Sequence, residues 1–220
     1  MIIIFNSNEV HDEIIDNYAS KSNGIVLRRK EDLTLDRLSK YDPTHIFFIH
    51  WSFLIPAEIY ERFNCILFHM TDLPFGRGGS PLQNLIVRGL EETMISAIKV
   101  SKGLDTGPVF MKRGLSLHGS AEEIFLRAGK IMCGMITEIL NSNIIPIQQT
   151  GEAVIFMRRT PSQGDISKLN TLEELYDYVR MLDSVGYPKA FIETKSFKME
   201  FSRAALRKGH VVCDVKISLK

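Results

Sequence analysis

His45-Ile-Phe-Phe-Ile-His-Trp-Ser-Phe-Leu-Ile-Pro-Ala-Glu-Ile-Tyr-Glu-Arg-Phe-Asn-Cys-Ile-Leu-Phe-His69 carries the reading of the fold. His45 to Ile49 is a continuous apolar run, which suits a strand buried on both faces. Pro56 opens a short helix that reaches Phe63. Cys65 to Phe68 is a second buried strand. The same alternation continues upstream. Met1 to Phe5 is an apolar run closed by Asn6 and Ser7. Glu9 to Ser20 has helical spacing at Val10, Ile14, Ile15 and Tyr18. Gly24 to Leu27 reads as a strand, and Glu31 to Lys40 as a helix broken by Asp42-Pro43. Strand, helix, strand, helix in this order predicts an α/β fold with a doubly wound, mostly parallel sheet. Such sheets bind ligands outside the carboxyl ends of their strands. Asn6-Ser7, His50-Trp51 and His69 are therefore the positions to inspect.

Downstream, Asp72 to Pro81 is a loop rich in Gly and Pro, and Ser80-Pro81 starts a helix over Leu82 to Arg88. Met94 to Val100 and Val109 to Leu117 read as strands around a turn at Lys102 to Pro108. Ala121 to Asn141 is the longest helical pattern, with Ser120 and Glu123 placed for a capping box. Thr160 to Asn170 is polar and reads as a linker. Thr171 to Leu182 is helical, and Ala190 to Thr194, Phe197 to Phe201 and His210 to Lys216 are strands. The expected organisation is a main domain over 1–159, a linker over 160–170 and a small helix-plus-strand appendage over 171–220.

Composition narrows the class. A chain of 220 residues, 45% hydrophobic and 24% charged, can bury a sizeable core without staples. A net charge of +1 gives no overall bias toward nucleic acid or membrane. Cys65, Cys133 and Cys213 are scattered, without a CxxC pair, so neither a disulfide framework nor a metal site is expected. Met1 to Asn6 lacks the basic region and cleavage site of a signal peptide, and no apolar stretch is long enough to span a bilayer. A cytoplasmic location follows as the expectation.

The segment from His69 to Pro81, together with Gly103-Leu-Asp-Thr-Gly-Pro108, concentrates the chemistry. A histidine at the carboxyl end of a buried strand can donate, accept or titrate near neutral pH. Asp105 in a Gly-flanked turn could fold back beside it. A carboxylate next to an imidazole orients the ring and stabilises its protonated form, which suits acyl transfer to an amine. Each feature also has a structural reading, His69 as a satisfied strand-end side chain and Asp105 as a turn-former. The Gly-rich loop is neither a Walker motif nor a GxGxxG following a strand.

The order His69, Leu73-Pro74, Arg77-Gly78, Pro81-Leu82-Gln83 and Leu104-Asp105-Thr106-Gly107 resembles the folate-dependent formyltransferase family over roughly residues 1–150. The resemblance implies a Rossmann-like domain and N10-formyltetrahydrofolate as co-substrate, with His69 and Asp105 matching the catalytic His and Asp. Folate would lie against His50, Trp51, Leu54, Arg77, Gly78, Val100, Gly103 and Leu104. The acceptor would meet Met70, Thr71, Gln83 and Asn84. The family's catalytic Asn lies two residues before the His, and Leu67 stands there instead. Leucine cannot donate a hydrogen bond to an oxyanion, which leaves His50, Thr71, Gln83 and Asn84 as replacements to consider. The short chain most resembles the compact nucleotide-sugar branch, so the expected acceptor is an amine on a nucleotide-linked 4-amino sugar. Methionyl-tRNA is the alternative acceptor, and a non-catalytic folate or sugar-nucleotide binding module is the second alternative. A small C-terminal sheet also leaves an edge that a homodimer could cover.

Overall fold

The computed structural model describes residues 1–220. Its first part alternates β1 (Ile2–Asn6), α1 (Asp12–Lys21), β2 (Gly24–Leu27), α2 (Leu35–Ser39), β3 (His45–Ile49), α3 (Ala57–Arg62) and β4 (Cys65–His69). The chain continues through β5 (Phe75–Gly78), α4 (Pro81–Ile86), β6 (Glu92–Lys99), β7 (Val109–Ser116) and α5 (Ala121–Asn141). It ends with β8 (Val154–Phe156), α6 (Leu172–Arg180), β9 (Ala190–Glu193), β10 (Phe197–Arg207) and β11 (His210–Leu219). The main sheet has the order β2-β1-β3-β4-β6-β7. Its first four strands are parallel, while β6 and β7 are antiparallel additions. This is the expected doubly wound, mostly parallel α/β fold.

Strand periodicity sorts the core into two layers, because successive side chains point to opposite faces. Ile2, Ile4, Phe47, Ile49, Ile66 and Phe68 face a large cluster beneath α1 and α5. Ile3, Phe5, Ile46, Phe48 and Cys65 face a smaller cluster closed by Leu38 of α2 and Ile59 of α3. Each fully buried Ile or Phe contributes about 1.5–3 kcal/mol relative to exposure. Leu67 and His69 share the face of Cys65, so β4 carries His69 out past the edge of the smaller cluster. The expected capping box of α5 is present: Ser120 accepts from the Glu123 backbone, and Glu123 accepts from the Ser120 backbone.

Several expectations need adjustment. The Gly-rich segment read as loop contains β5, which pairs in parallel with β8 through Phe75↔Val154 and Gly78↔Phe156. Two very short strands, one of them rich in glycine, offer no hydrophobic alternation to read. The helix expected from Glu9 begins as a 3-10 turn over Glu9–His11. The helix expected from Glu31 splits into a 3-10 turn at Lys30–Asp32 and α2. Within 160–170, Pro161–Gly164 forms a 3-10 turn, and Ile166 is buried and donates its N–H to the Phe191 carbonyl at 3.0 Å. β10 runs on to Arg207, past a bulge between Ser202 and Ala205. Val179, Met181, Leu182 and Ala190 belong to the same cluster as the main sheet's core. The segment after α6 is thereby drawn over the strand ends. No helix is long and apolar enough to cross a membrane.

The connection between β6 and β7 positions the site. Val100 donates to the Cys65 carbonyl at 2.9 Å, and Lys99 donates to the Pro108 carbonyl at 2.9 Å. The turn is so tight that a Cβ on Gly107 would stand 1.7 Å from the Lys99 carbonyl oxygen. Gly107→Ala should therefore destabilise the fold by about 1–3 kcal/mol, as overpacking does, and lower Tm by several degrees. Gly114→Ala on β7, where an added Cβ meets nothing within 4 Å, should leave Tm nearly unchanged. Equal effects in the two variants, measured by calorimetry, would show that the turn has slack.

Candidate active site

His69 is almost fully buried, and its ring is fixed from one side. Nε2 lies 2.7 Å from the Gly76 carbonyl oxygen. A carbonyl can only accept, so Nε2 carries the proton and Nδ1 keeps its lone pair. Nδ1 faces the Asp105 carboxylate at 3.7 Å. That gap is longer than a hydrogen bond and leaves Nδ1 available to an incoming proton donor.

Asp105 is held as firmly. Its backbone is left-handed, with φ 52°. Its Oδ2 accepts the Gly78 N–H at 2.9 Å, and its main-chain carbonyl accepts from Gln149 Nε2 at 2.8 Å. Gln149 Nε2 also donates to the Gly107 carbonyl, while its Oε1 accepts from Arg77 at 2.7 Å. Arg77 and Gln149 are thus a brace behind the pair. Arg77 was expected at the folate, but its guanidinium is committed to Gln149.

A cavity of about 850 Å³ opens from this pair. One part is bounded by Trp51, Phe53, Leu54 and Leu104. Phe53, Leu54 and Leu104 keep 41%, 85% and 56% of their surface exposed, an apolar rim that a flat ligand could cover. Another part is bounded by Ser80, Arg158, Arg159, Pro161 and Tyr187. Of the residues expected at a ligand, His50, Trp51, Leu54, Met70, Gly78, Gln83 and Leu104 line this cavity together with His69 and Asp105. Val100 and Gly103 do not. Val100 packs on the smaller core cluster, and Gly103 is a left-handed turn residue with φ 102°.

The polar groups considered as replacements for the missing Asn are largely spent. Thr71 donates to the Gly76 carbonyl. Gln83 donates to the Met181 carbonyl. Asn84 donates to the carbonyls of Gly79, Ser80 and Met157, tying α4 to the segment that follows β8. Thr71 and Asn84, expected at the acceptor, do not line the cavity.

His50 has a different role. It adopts a left-handed backbone, φ 47°, and its carbonyl accepts from the Ser7 hydroxyl. Asn8 Oδ1 accepts from the Val10 N–H, so the Asn8 amide nitrogen turns to His50 Nε2 at 3.2 Å. The same amide nitrogen lies 3.4 Å from Nδ1, over the ring, and the Tyr187 hydroxyl lies 2.9 Å from Nε2. Burial pushes His50 down to about 3, with the His11 imidazole adding to the shift. Phe125 closes on the His50 ring edge-on, with centroids 4.7 Å apart. Asn8, Phe125 and Arg158 escaped the sequence reading because no local pattern marks them.

His11 lies behind His50, its ring centroid 5.5 Å away. It is fully buried, and neither ring nitrogen has a partner. Burial pushes it down to about 4, against a weaker upward pull from Asp12.

An imidazole–carboxylate pair at the carboxyl edge of a parallel sheet, opening on a cavity, suits group-transfer chemistry in an α/β protein. Comparison with known proteins narrows this further. Residues 161–218 match the family described as methionyl-tRNA formyltransferase, C-terminal domain. A solved structure described as methionyl-tRNA formyltransferase from Clostridium thermocellum is 48% identical, covers 100% of this chain and 99% of its own, and superposes with a TM-score of 0.96. The methionyl-tRNA formyltransferase of Rickettsia typhi is 29% identical over 154 residues, which are 67% of this chain and 50% of that protein. HypX from Aquifex aeolicus, solved in complex with tetrahydrofolic acid, shares the fold at TM-score 0.77 and 17% identity over 92% of this chain and 37% of its own. The chain belongs to the folate-dependent formyltransferase family. It spans half the length of the Rickettsia relative.

These relatives overturn the nucleotide-sugar acceptor expected from chain length. A full-length match at 48% identity is a methionyl-tRNA formyltransferase, and the C-terminal segment itself matches that family's C-terminal domain. A short C-terminal part does not distinguish the branches.

The two buried histidines make stability depend on pH. Their folded-state values, about 4 and about 3, lie below the ordinary 6.5. The unfolded chain therefore binds more protons between pH 6.5 and 4, and stability falls as pH drops through that window. Shifts of this size correspond to roughly 3 kcal/mol for His11 and roughly 5 kcal/mol for His50. His11→Leu should fold normally at pH 7, since no hydrogen bond is lost, and should flatten part of the acid limb in urea titrations. An unchanged limb would remove His11 as its source.

Proposed function

We propose that this protein transfers the formyl group of N10-formyltetrahydrofolate to the α-amine of methionyl-tRNA. The observation that carries the reading is the His69–Asp105 pair on the cavity wall, with Nε2 on the Gly76 carbonyl and Nδ1 3.7 Å from the carboxylate. The cavity supports the co-substrate: its apolar rim of Trp51, Phe53, Leu54 and Leu104 suits a pterin and its aromatic linker. The acceptor rests on the relatives, above all the match of residues 161–218.

N10-formyltetrahydrofolate supplies an electrophilic formyl carbon. The amine nitrogen bonds to that carbon, and the bond to the folate N10 breaks. His69 Nδ1 takes the proton that the amine loses and returns it to N10. Asp105 stabilises the transient imidazolium across the 3.7 Å gap, and Gly76 holds the other nitrogen in place. The imidazolium N–H is also a donor to the developing oxyanion. Leu67 contributes none.

Mass spectrometry of the aminoacyl product decides the reading. A formyl group on methionyl-tRNA, dependent on N10-formyltetrahydrofolate, is expected. Its absence at high enzyme concentration, with folate still raising Tm, would leave a binding module. His69→Ala should lower kcat by about 10³-fold, and Asp105→Asn by about 10²-fold, with Tm little changed. Wild-type turnover in His69→Ala would sink the mechanism.

Leu67→Asn provides the opposite test. An amide two residues before His69, on the same strand face, would restore an oxyanion donor. It should raise kcat about tenfold or more, while costing about 1–2 kcal/mol of stability for a polar group beside the apolar cluster. A fall in kcat in a folded variant would show that the site is built around the leucine.

A further inference from the structure

Arg158 stands out among the cavity's charged groups. The backbone around it is fixed. Gly79 N–H donates to the Phe156 carbonyl at 3.0 Å, Asn84 donates to the Met157 carbonyl at 2.9 Å, and Arg159 N–H donates to the Ser80 hydroxyl at 3.0 Å. The approach is close enough that a Cβ on Gly79 would stand 2.6 Å from Arg158 Cβ. Yet the Arg158 guanidinium is exposed, with no hydrogen bond, ion pair or ring contact. Its neighbour Arg159 is engaged, donating to the Gln163 carbonyl at 3.0 Å and lying over the Tyr178 ring. Arg158 is near Tyr187. Burial raises the Tyr187 phenol to about 12, while Gln83 and the Arg158 charge oppose the rise. A free guanidinium on a pinned backbone, lining a cavity that also holds His69, is arranged for an anion.

We infer that Arg158, with the Tyr187 side of the cavity, forms an anion subsite that takes a phosphate of the acceptor's terminal nucleotide. This rests on the formyl-transfer reading for its ligand, though not for its chemistry. The other anion available to this cavity is the glutamate tail of folate. Arg158 stands beside Tyr187, which belongs to the segment 161–218 that matches the methionyl-tRNA formyltransferase C-terminal domain, so the phosphate is favoured.

Adenosine 5′-monophosphate and adenosine serve as probes of the subsite by calorimetric titration. The wild-type protein should bind the monophosphate at least tenfold more tightly. Arg158→Ala should erase that preference without changing Tm, and Arg158→Lys should keep part of it. In steady state, Arg158→Ala should raise KM for methionyl-tRNA about tenfold, with kcat and KM for N10-formyltetrahydrofolate within about threefold of wild type. A preference that survives in Arg158→Ala, or no binding of the monophosphate to the wild type, overturns the subsite. A rise in the folate KM instead assigns Arg158 to the glutamate tail and also overturns it. Loss of the preference in a protein that formylates nothing would uphold the subsite while removing the formyl-transfer reading.

Discussion

The site depends on one constraint: the connection between β6 and β7 has to return across the face of β4. β6 is antiparallel to β4, so Lys99 ends level with Ile66, at the wrong end of the strand for a catalytic edge. Only a chain that folds back over Leu67 can deliver a carboxylate to His69. Val100 anchors the start of that return on Cys65, and the Gly107 turn closes it against Lys99. Between them Asp105 adopts a left-handed backbone and takes the Gly78 N–H. Such strain in a non-glycine residue costs of order 1–3 kcal/mol and persists where the surroundings over-determine it. Gln149 and Arg77 are those surroundings.

The same logic places His50, another residue with a left-handed backbone, on the wall of this cavity. β3 ends beside β4 in parallel register, so both strands deliver a histidine to the same edge. Their environments separate them. His69 lies between the Asp105 carboxylate and the Gly76 carbonyl, which fix its ring. His50 meets an amide donor, a phenol and Phe125, and burial keeps it neutral. Two imidazoles at one edge thereby take distinct parts, one suited to moving a proton and one to holding the Tyr187 wall in place. His11 extends the neutral layer beneath His50.

Much of the fold was legible because the parallel half is written in uninterrupted apolar runs. Ile2 to Phe5, Ile46 to Ile49 and Cys65 to Phe68 have no reading other than buried segments, and the capping signal at Ser120 marks a real helix start. The β5–β8 pair was invisible because β5 contains Gly76 and Gly78 and its partner lies far away in sequence. The central pair of the candidate site was legible through its strand end and its Gly-flanked turn. Its walls were not. Arg77 was read as a ligand contact because it follows the Gly-rich loop, yet its partner Gln149 is 72 positions away. Tyr187 and Arg158 reach the cavity only through tertiary packing, which no local spacing encodes.

Leu67 is the one place where sequence and geometry pull apart. Its side chain shares a strand face with Cys65 and packs at the border of the smaller apolar cluster. A leucine there extends the core toward the reacting centre and lowers the local dielectric around His69 and Asp105. Low dielectric strengthens the attraction between an imidazolium and a carboxylate, but it removes a fixed dipole from the oxyanion. The two effects do not cancel in kind. In the proposed reaction the first would stabilise a proton taken up by His69, and the second would stabilise charge on the formyl oxygen. A site with the first and without the second leans on the imidazolium for both duties. That makes the placement of His69 Nδ1 by Gly76 and Asp105 more demanding here than where an amide shares the charge.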